Sequence, residues 1–157
     1  MPMADAADST LPDDALMPRN VERSLPIALL RAREVVMVRF RPIVAAHDLT
    51  EQQWRVLRVL AEQSPIDATD LAEQATVLAP SLTRIIKSLE DRHLIMRVRD
   101  EVDRRRLVLS ITPGGIALIR DVAPSSHEIY ADLEARFGHE RLEHLIDLLI
   151  DLAAVKL

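Results

Sequence analysis

The sequence predicts a mainly α-helical chain with one small β-hairpin, and three observations carry that prediction. Apolar residues recur at intervals of three and four along most of the 157 residues, the spacing that lays one buried stripe along a helix. Only one stretch, "LIMRVRDEVDRRRLVLSIT" at 94–112, alternates instead, with a charged centre between its two arms. Directly before it, two short helical segments are joined by the connector "TVLA".

The elements follow in chain order. Residues 1–23, with Pro2, Pro12 and Pro18 among scattered aspartates, read as a flexible N-terminal arm. Residues 24–48 form a long first helix: Ser24 is placed to cap it, Pro26 sits in its first turn, Leu29, Val36, Phe40 and Ile43 or Val44 supply its stripe, and Pro42 is a point of bending. The segment 49–112 opens with "LTEQQWRVLRVLAEQ", where Thr50 and Gln53 form a capping box and Trp54, Leu57, Leu60 and Ala61 the apolar face. A short helix at "TDLAEQA" and a longer one at "PSLTRIIKSLEDRHLI" give the outline of a helix-turn-helix, the second burying Leu82, Ile85, Ile86 and Leu89. In the alternating stretch, Ile95, Arg97 and Arg99 oppose Met96 and Val98, and Leu107, Leu109 and Ile111 oppose Val108 and Ser110. Residues 113–157 complete the chain. Pro113 and Gly114 end the strand and open a long helix through Pro124, and Gly138 separates a last helix whose face is Leu142, Leu145, Ile146, Leu149, Leu152 and Ala153.

Composition removes whole classes of chemistry. Apolar residues make up 48% of the chain and aromatic ones 3%, so aliphatic side chains must build the core. Cysteine is absent, which excludes disulfides, zinc-thiolate sites and thiol nucleophiles. The three glycines, Gly114, Gly115 and Gly138, cannot build a P-loop or a dinucleotide-binding fingerprint. The five histidines include no HExxH pair and there is no nucleophile elbow, so no metal, cofactor or catalytic site is expected. The start of the chain lacks the form of a secretion signal and no segment has the length of a membrane span, which points to the cytoplasm and to no membrane partner.

The net charge of −5 is unevenly distributed. Residues 79–112 hold eight basic groups against five acidic ones, whereas residues 121–157 hold three against eight. Such segregation marks one face for a polyanion. On the second helix of the pair, Ser81, Arg84, Lys87 and Ser88, flanked by Thr83 and led by Pro80, lie opposite the apolar stripe. Hydroxyls and cations there suit a major groove, and equally a solvated face. The hairpin decides between them: a helix-turn-helix followed at once by a hairpin with an arginine-rich tip is a winged helix-turn-helix, its tip arginines placed to reach the minor groove or the DNA backbone. Asp103 is then expected to hold a neighbouring arginine by a charge-assisted hydrogen bond.

These residues resemble the multiple antibiotic resistance regulator (MarR) family of winged-helix transcription factors, over about residues 25–157. The wing pattern reads Asp103, Arg105, Thr112 and Gly115, with Ile111 where leucine is usual, and the recognition-helix pattern reads Pro80, Ser81, Thr83 and Arg84. The resemblance implies Ser81, Thr83, Arg84 and Lys87 in the major groove and Arg104 and Arg105 on the wing. "LLRAREVVMVRFRPIVAAHDLTEQQWRVLRVL" is further similar to the branch that represses operons for aromatic-acid breakdown, such as homoprotocatechuate degradation. That implies a small aromatic carboxylate effector near the first two helices, with Arg31 or Arg33 pairing its carboxylate and Met37, His47 and Trp54 lining its pocket. Three of them have a plainer reading beside this one: Trp54 as core, His47 as a surface or cap residue, Arg33 as an intersubunit ion pair.

The helices flanking the winged domain need a partner surface, and a second copy supplies it. The expected assembly is a twofold homodimer facing a pseudo-palindrome in double-stranded DNA. Two readings from other classes stay open at this point. One is a non-enzymatic protein-interaction module whose charged hairpin meets an acidic protein; the other is an enzyme using Glu34, His47 or His127, for which no acid-base cluster is visible.

Overall fold

The computed structural model describes residues 21–156. Of the expected arm, only Val21–Arg23 lie among them, as a single 3-10 turn, and the remainder falls outside the described residues. The elements are α1 (Leu25–Ala46), α2 (Glu51–Glu62), α3 (Ala68–Gln74), α4 (Ala79–Asp91), β1 (Ile95–Arg99), β2 (Leu107–Ile111), α5 (Pro113–Phe137) and α6 (His139–Ala154). A boundary between two compact units falls inside α1, between Val38 and Arg39.

Local chemistry starts the helices where the sequence places them. Thr50 Oγ1 accepts the Gln53 N–H at 3.2 Å while Gln53 Oε1 accepts the Thr50 N–H at 2.9 Å, the reciprocal box expected for α2. Asp67 Oδ1 accepts the N–H groups of Thr69 and Asp70, both at 2.9 Å, and so starts α3. Thr112 Oγ1 accepts the Gly115 N–H at 3.1 Å and donates to the His93 carbonyl at 2.7 Å, joining the start of α5 to the exit of α4. Gly115 is needed there for space: a Cβ would lie 2.3 Å from the Leu94 carbonyl oxygen and 2.6 Å from Ile111 Cγ1.

The core of the larger unit gathers Val56, Leu57 and Leu60 of α2, Leu71 of α3, and Leu82, Ile85, Ile86 and Leu89 of α4, with Leu94, Ile95 and Leu109 closing it from the hairpin side. The α4 stripe is the one expected. Its end is not: the helix stops at Asp91, whereas the sequence pattern carried it to residue 95. His93 adopts φ +55°, and the Leu94 N–H returns to the Leu89 carbonyl at 3.0 Å, a left-handed closure that releases Leu94 and Ile95 to begin the strand.

The hairpin is antiparallel, with Ile95 opposite Ile111, Arg97 opposite Leu109 and Arg99 opposite Leu107. Strict alternation fails in β2, where Val108 and Leu109 are both buried and Leu107 is exposed. β2 also has a second neighbour. Ile66 exchanges both backbone hydrogen bonds with Leu109, at 3.0 and 2.8 Å, so a third short segment lines the hairpin.

The last two helices follow the expected break. Gly138 takes φ +97° between them, a conformation that glycine adopts at little cost. Residues of α6 are nowhere buried, and Leu145, Ile146, Leu149 and Leu152 are exposed along it.

Candidate nucleic-acid interface

The structure sorts the eight cations of residues 79–112 into two sets. Four are engaged within the fold. Arg92 donates from Nη1 to the Asp48 carbonyl at 2.7 Å and from Nη2 to the His47 carbonyl at 2.9 Å. Arg97 pairs with Glu90 at 2.9 Å, Arg99 donates to the Arg104 carbonyl at 2.9 Å, and Arg106 pairs with Asp67 at 2.8 Å. The other four, Arg84 and Lys87 on α4 and Arg104 and Arg105 on the hairpin tip, are exposed and have no side-chain partner among the described residues. The arginine run "RRR" is thus divided, two groups free and one tied down.

Asp103 holds a neighbouring arginine as expected, but by its backbone. Its carboxylate accepts the backbone N–H of Arg105 at 3.0 Å, and no arginine guanidinium pairs with it among the described residues. The tip is a tight seven-residue loop, 100–106, and a carboxylate there meets the nearby unpaired N–H groups first. Asp100 does the same at the other side of the tip, accepting the N–H groups of Val102 and Asp103, each at 2.8 Å. The one guanidinium of the run that is paired, that of Arg106, is held by Asp67, which lies far off in sequence. The backbone N–H groups of Asp103 and Val102, aided by Arg106, hold the Asp100 carboxyl below its ordinary range; the N–H of Asp70, with Thr69 and Arg106, does so for Asp67.

On α4, Pro80, Thr83, Arg84 and Lys87 are exposed. Thr83 also donates its hydroxyl to the Ala79 carbonyl at 3.3 Å. Ser81 is half-buried and, with Thr50, Gln52, Gln53, Arg84 and Ile85, lines an open cleft of about 290 Å³ between the starts of α2 and α4. Ser88 is half-buried, and its oxygen accepts from Gln53 Nε2 at 3.0 Å, so it serves as a tether to α2. Arg55 completes the scaffold: it donates to the Ala75 and Thr76 carbonyls at 2.8 and 3.2 Å, holding the turn between α3 and α4, where Thr76 has φ +52°.

Sequence reading missed Asp67, Arg92 and Arg55. Asp67, just before "ATDLAEQ", carried a readable N-cap signal; the two arginines carried none, because their acceptors are distant backbone carbonyls. The expected effector residues divide between the two units. In the smaller, Arg31 and Arg33 are exposed and Met37 is half-buried, with Arg33 donating to Glu34 at 3.2 Å. In the larger, His47 is half-buried with its carbonyl held by Arg92, and Trp54 packs against the core around Leu57. Among the described residues no cluster of three or more histidine or acidic groups could hold a metal ion, and no helix is long and apolar enough to cross a membrane.

Comparison with known proteins bears directly on this arrangement. The family model described as "MarR family" matches residues 49–107. The homoprotocatechuate degradative operon repressor of Escherichia coli is 45% identical over 132 residues, covering 84% of this chain and 89% of that repressor. Among solved structures, NadR in complex with 4-hydroxyphenylacetate is 39% identical with a TM-score of 0.79, covering 88% of this chain and 98% of NadR. The transcriptional repressor CouR, bound to a 23-mer DNA duplex, is 28% identical with a TM-score of 0.75, covering 85% of this chain and 94% of CouR.

Proposed function

Because this chain belongs to the MarR family, we propose that it is a cytoplasmic, ligand-responsive transcriptional repressor of an aromatic-acid catabolic operon, released from its operator by a small aromatic carboxylate. The observation that carries the DNA-binding part is the division of the cations. Cations not neutralised within the fold are available to neutralise phosphates, and here they sit on the reading helix and the tip of the wing. Arg84 and Lys87, with Pro80, Ser81 and Thr83, act in the major groove, and Arg104 and Arg105 act at the minor groove or the backbone. Asp103 and Ser88 serve by shaping the wing tip and by seating the helix.

The exposed aliphatic face of α6 supports a homodimer, which presents two reading helices to a pseudo-palindromic site. The effector reading draws on two relatives: one is a repressor of a homoprotocatechuate degradative operon, and NadR holds 4-hydroxyphenylacetate. Arg31 or Arg33 supplies the carboxylate partner, with Met37 on the same helix.

The test is a titration onto the promoter DNA flanking the protein's own gene, at two salt concentrations, with 4-hydroxyphenylacetate and related hydroxylated aromatic acids. Tight, salt-sensitive binding released by one acid is expected. Binding that no acid releases would remove the aromatic effector. Absence of binding at low salt would return the chain to the protein-interaction reading.

A further inference from the structure

The reading helix departs from local preference at its N-cap, the residue just before its first. Leu78 is the N-cap of α4 and makes no side-chain capping bond, at a position where serine, threonine, aspartate or asparagine is strongly preferred. The same leucine is 78% exposed. Neighbouring helices are started by capping side chains, Thr50 for α2, Asp67 for α3 and Thr112 for α5. An uncapped start weakens a helix, and an exposed leucine gains little from packing. Local rules broken without structural return are expected where a residue serves function.

The surroundings define what Leu78 would touch. Ala79 and Pro80 beside it are exposed too, and the first turn of α4 carries no acidic side chain. Thr83 and the unpaired Arg84 and Lys87 follow on the same helix. Aliphatic surface next to unpaired cations, without a carboxylate, fits one base edge: thymine alone displays a methyl group in the major groove. We propose that Leu78, flanked by Pro80, is a specificity-determining residue that packs against a thymine C5-methyl group. The proposal rests on the DNA-binding reading above and adds to it the base that α4 selects.

The experiment uses the full chain and a duplex that the unsubstituted protein selects from a random pool. The same duplex is made again with deoxyuridine replacing one thymidine at the same position of each half-site, each position in turn, which removes one methyl group per half-site and leaves the hydrogen-bonding edge intact. Loss of one buried methyl per half-site is expected to weaken binding about fourfold each, roughly fifteenfold for a dimer. Leu78→Ala should bind the duplexes with and without that methyl alike, and Leu78→Met should keep the thymine preference. Leu78→Ser separates function from folding: it supplies the missing cap, so the Tm should rise by about 2 to 4 °C while the preference disappears. Equal binding of all these duplexes by the unsubstituted protein overturns the proposal. So does a thymine preference that survives in the Ala or Ser variant. Failure to bind any duplex at low salt is a distinct result, which removes the regulator reading and the proposal with it.

Discussion

Arg105 and Arg106 are neighbours in sequence with opposite circumstances in the fold, and their separate replacement tests the division of the cations. Arg105 is exposed and unpaired among the described residues, whereas the Arg106 guanidinium lies 2.8 Å from Asp67 Oδ2. Each phosphate neutralised on B-form DNA contributes about 0.9 to the slope of log affinity against log salt. Arg105→Ala removes one such cation per protomer, so a dimer's slope should become shallower by about 1.8. Between 50 and 200 mM salt, the salt-induced loss of affinity should then be about twelvefold smaller than for the unsubstituted protein. Arg104→Ala should behave similarly. Arg106→Ala should leave the slope unchanged, since its charge is already met by Asp67, and should act only by loosening the wing from α3. Fluorescence anisotropy of a labelled operator at four salt concentrations gives all the slopes. A slope flattened as much by Arg106→Ala as by Arg105→Ala would refute the assignment, and so would an unchanged slope in both tip variants.

Three further outcomes follow from the geometry. Gly115→Ala places a methyl group 2.3 Å from the Leu94 carbonyl oxygen; overpacking of that kind should cost about 1 to 3 kcal/mol, read as a lower Tm, and an unchanged Tm would contradict the close approach. Arg92→Ala should cost about 1 to 3 kcal/mol in urea unfolding, because two backbone carbonyls lose a charged donor, and Arg92→Lys should recover part of it. The carboxyls of Asp67, Asp100 and Asp132 are held below the ordinary 3.8, chiefly by the N–H of Asp70, the N–H of Asp103 and the Arg39 side chain respectively. A lowered folded pKa stabilises above the unfolded value and is lost as pH falls through the folded one, so the three together should steepen the loss of stability below about pH 4. Replacing all three with asparagine should flatten that acid limb in urea midpoints measured from pH 6 to pH 2; an identical limb would show that these carboxylates do not govern it.

Much of the reading domain was legible because its signals are local. The Thr50–Gln53 box and the stripe from Leu82 to Leu89 each lie within one or two helical turns, and both form as the pattern requires. Several of the failures share a cause, namely partners distant in sequence. Nothing near Leu109 announces that Ile66 will pair with it, and with both faces of β2 covered at Val108 and Leu109 the alternation there dissolves. Nothing in "DRRR" distinguishes the arginine that reaches Asp67 from the two that stay free. Val56 is fully buried although it stood outside the expected face of α2, because that helix is covered over a wider arc than one stripe. At α4 the sequence pattern ran past the true end, since only the backbone turn at His93 separates the last apolar residue of the helix from the first of the strand.

The tethers that sequence could not show also bear on how the reading helix is steered. Gln53, in the first turn of α2, holds Ser88, and Arg92 at the end of α4 holds the carbonyls of His47 and Asp48, so both grips fall on residues 47–53, the corner between α1 and α2. The corner is itself constrained, with Asp48 at φ +55° and the Leu49 N–H bonded to the Val44 carbonyl at 3.0 Å. A displacement of the end of α1 therefore leaves α4 two courses. It follows, keeping its hydrogen bonds, or it stays and leaves two polar carbonyls and a guanidinium without their partners, at a cost of about 1 to 3 kcal/mol. Following is the cheaper course as long as the shift strains the core by less than that. A ligand acting on α1 thus needs no contact with α4 to change the spacing of two reading helices across a dimer; it needs only to bind one position of the corner more tightly than another.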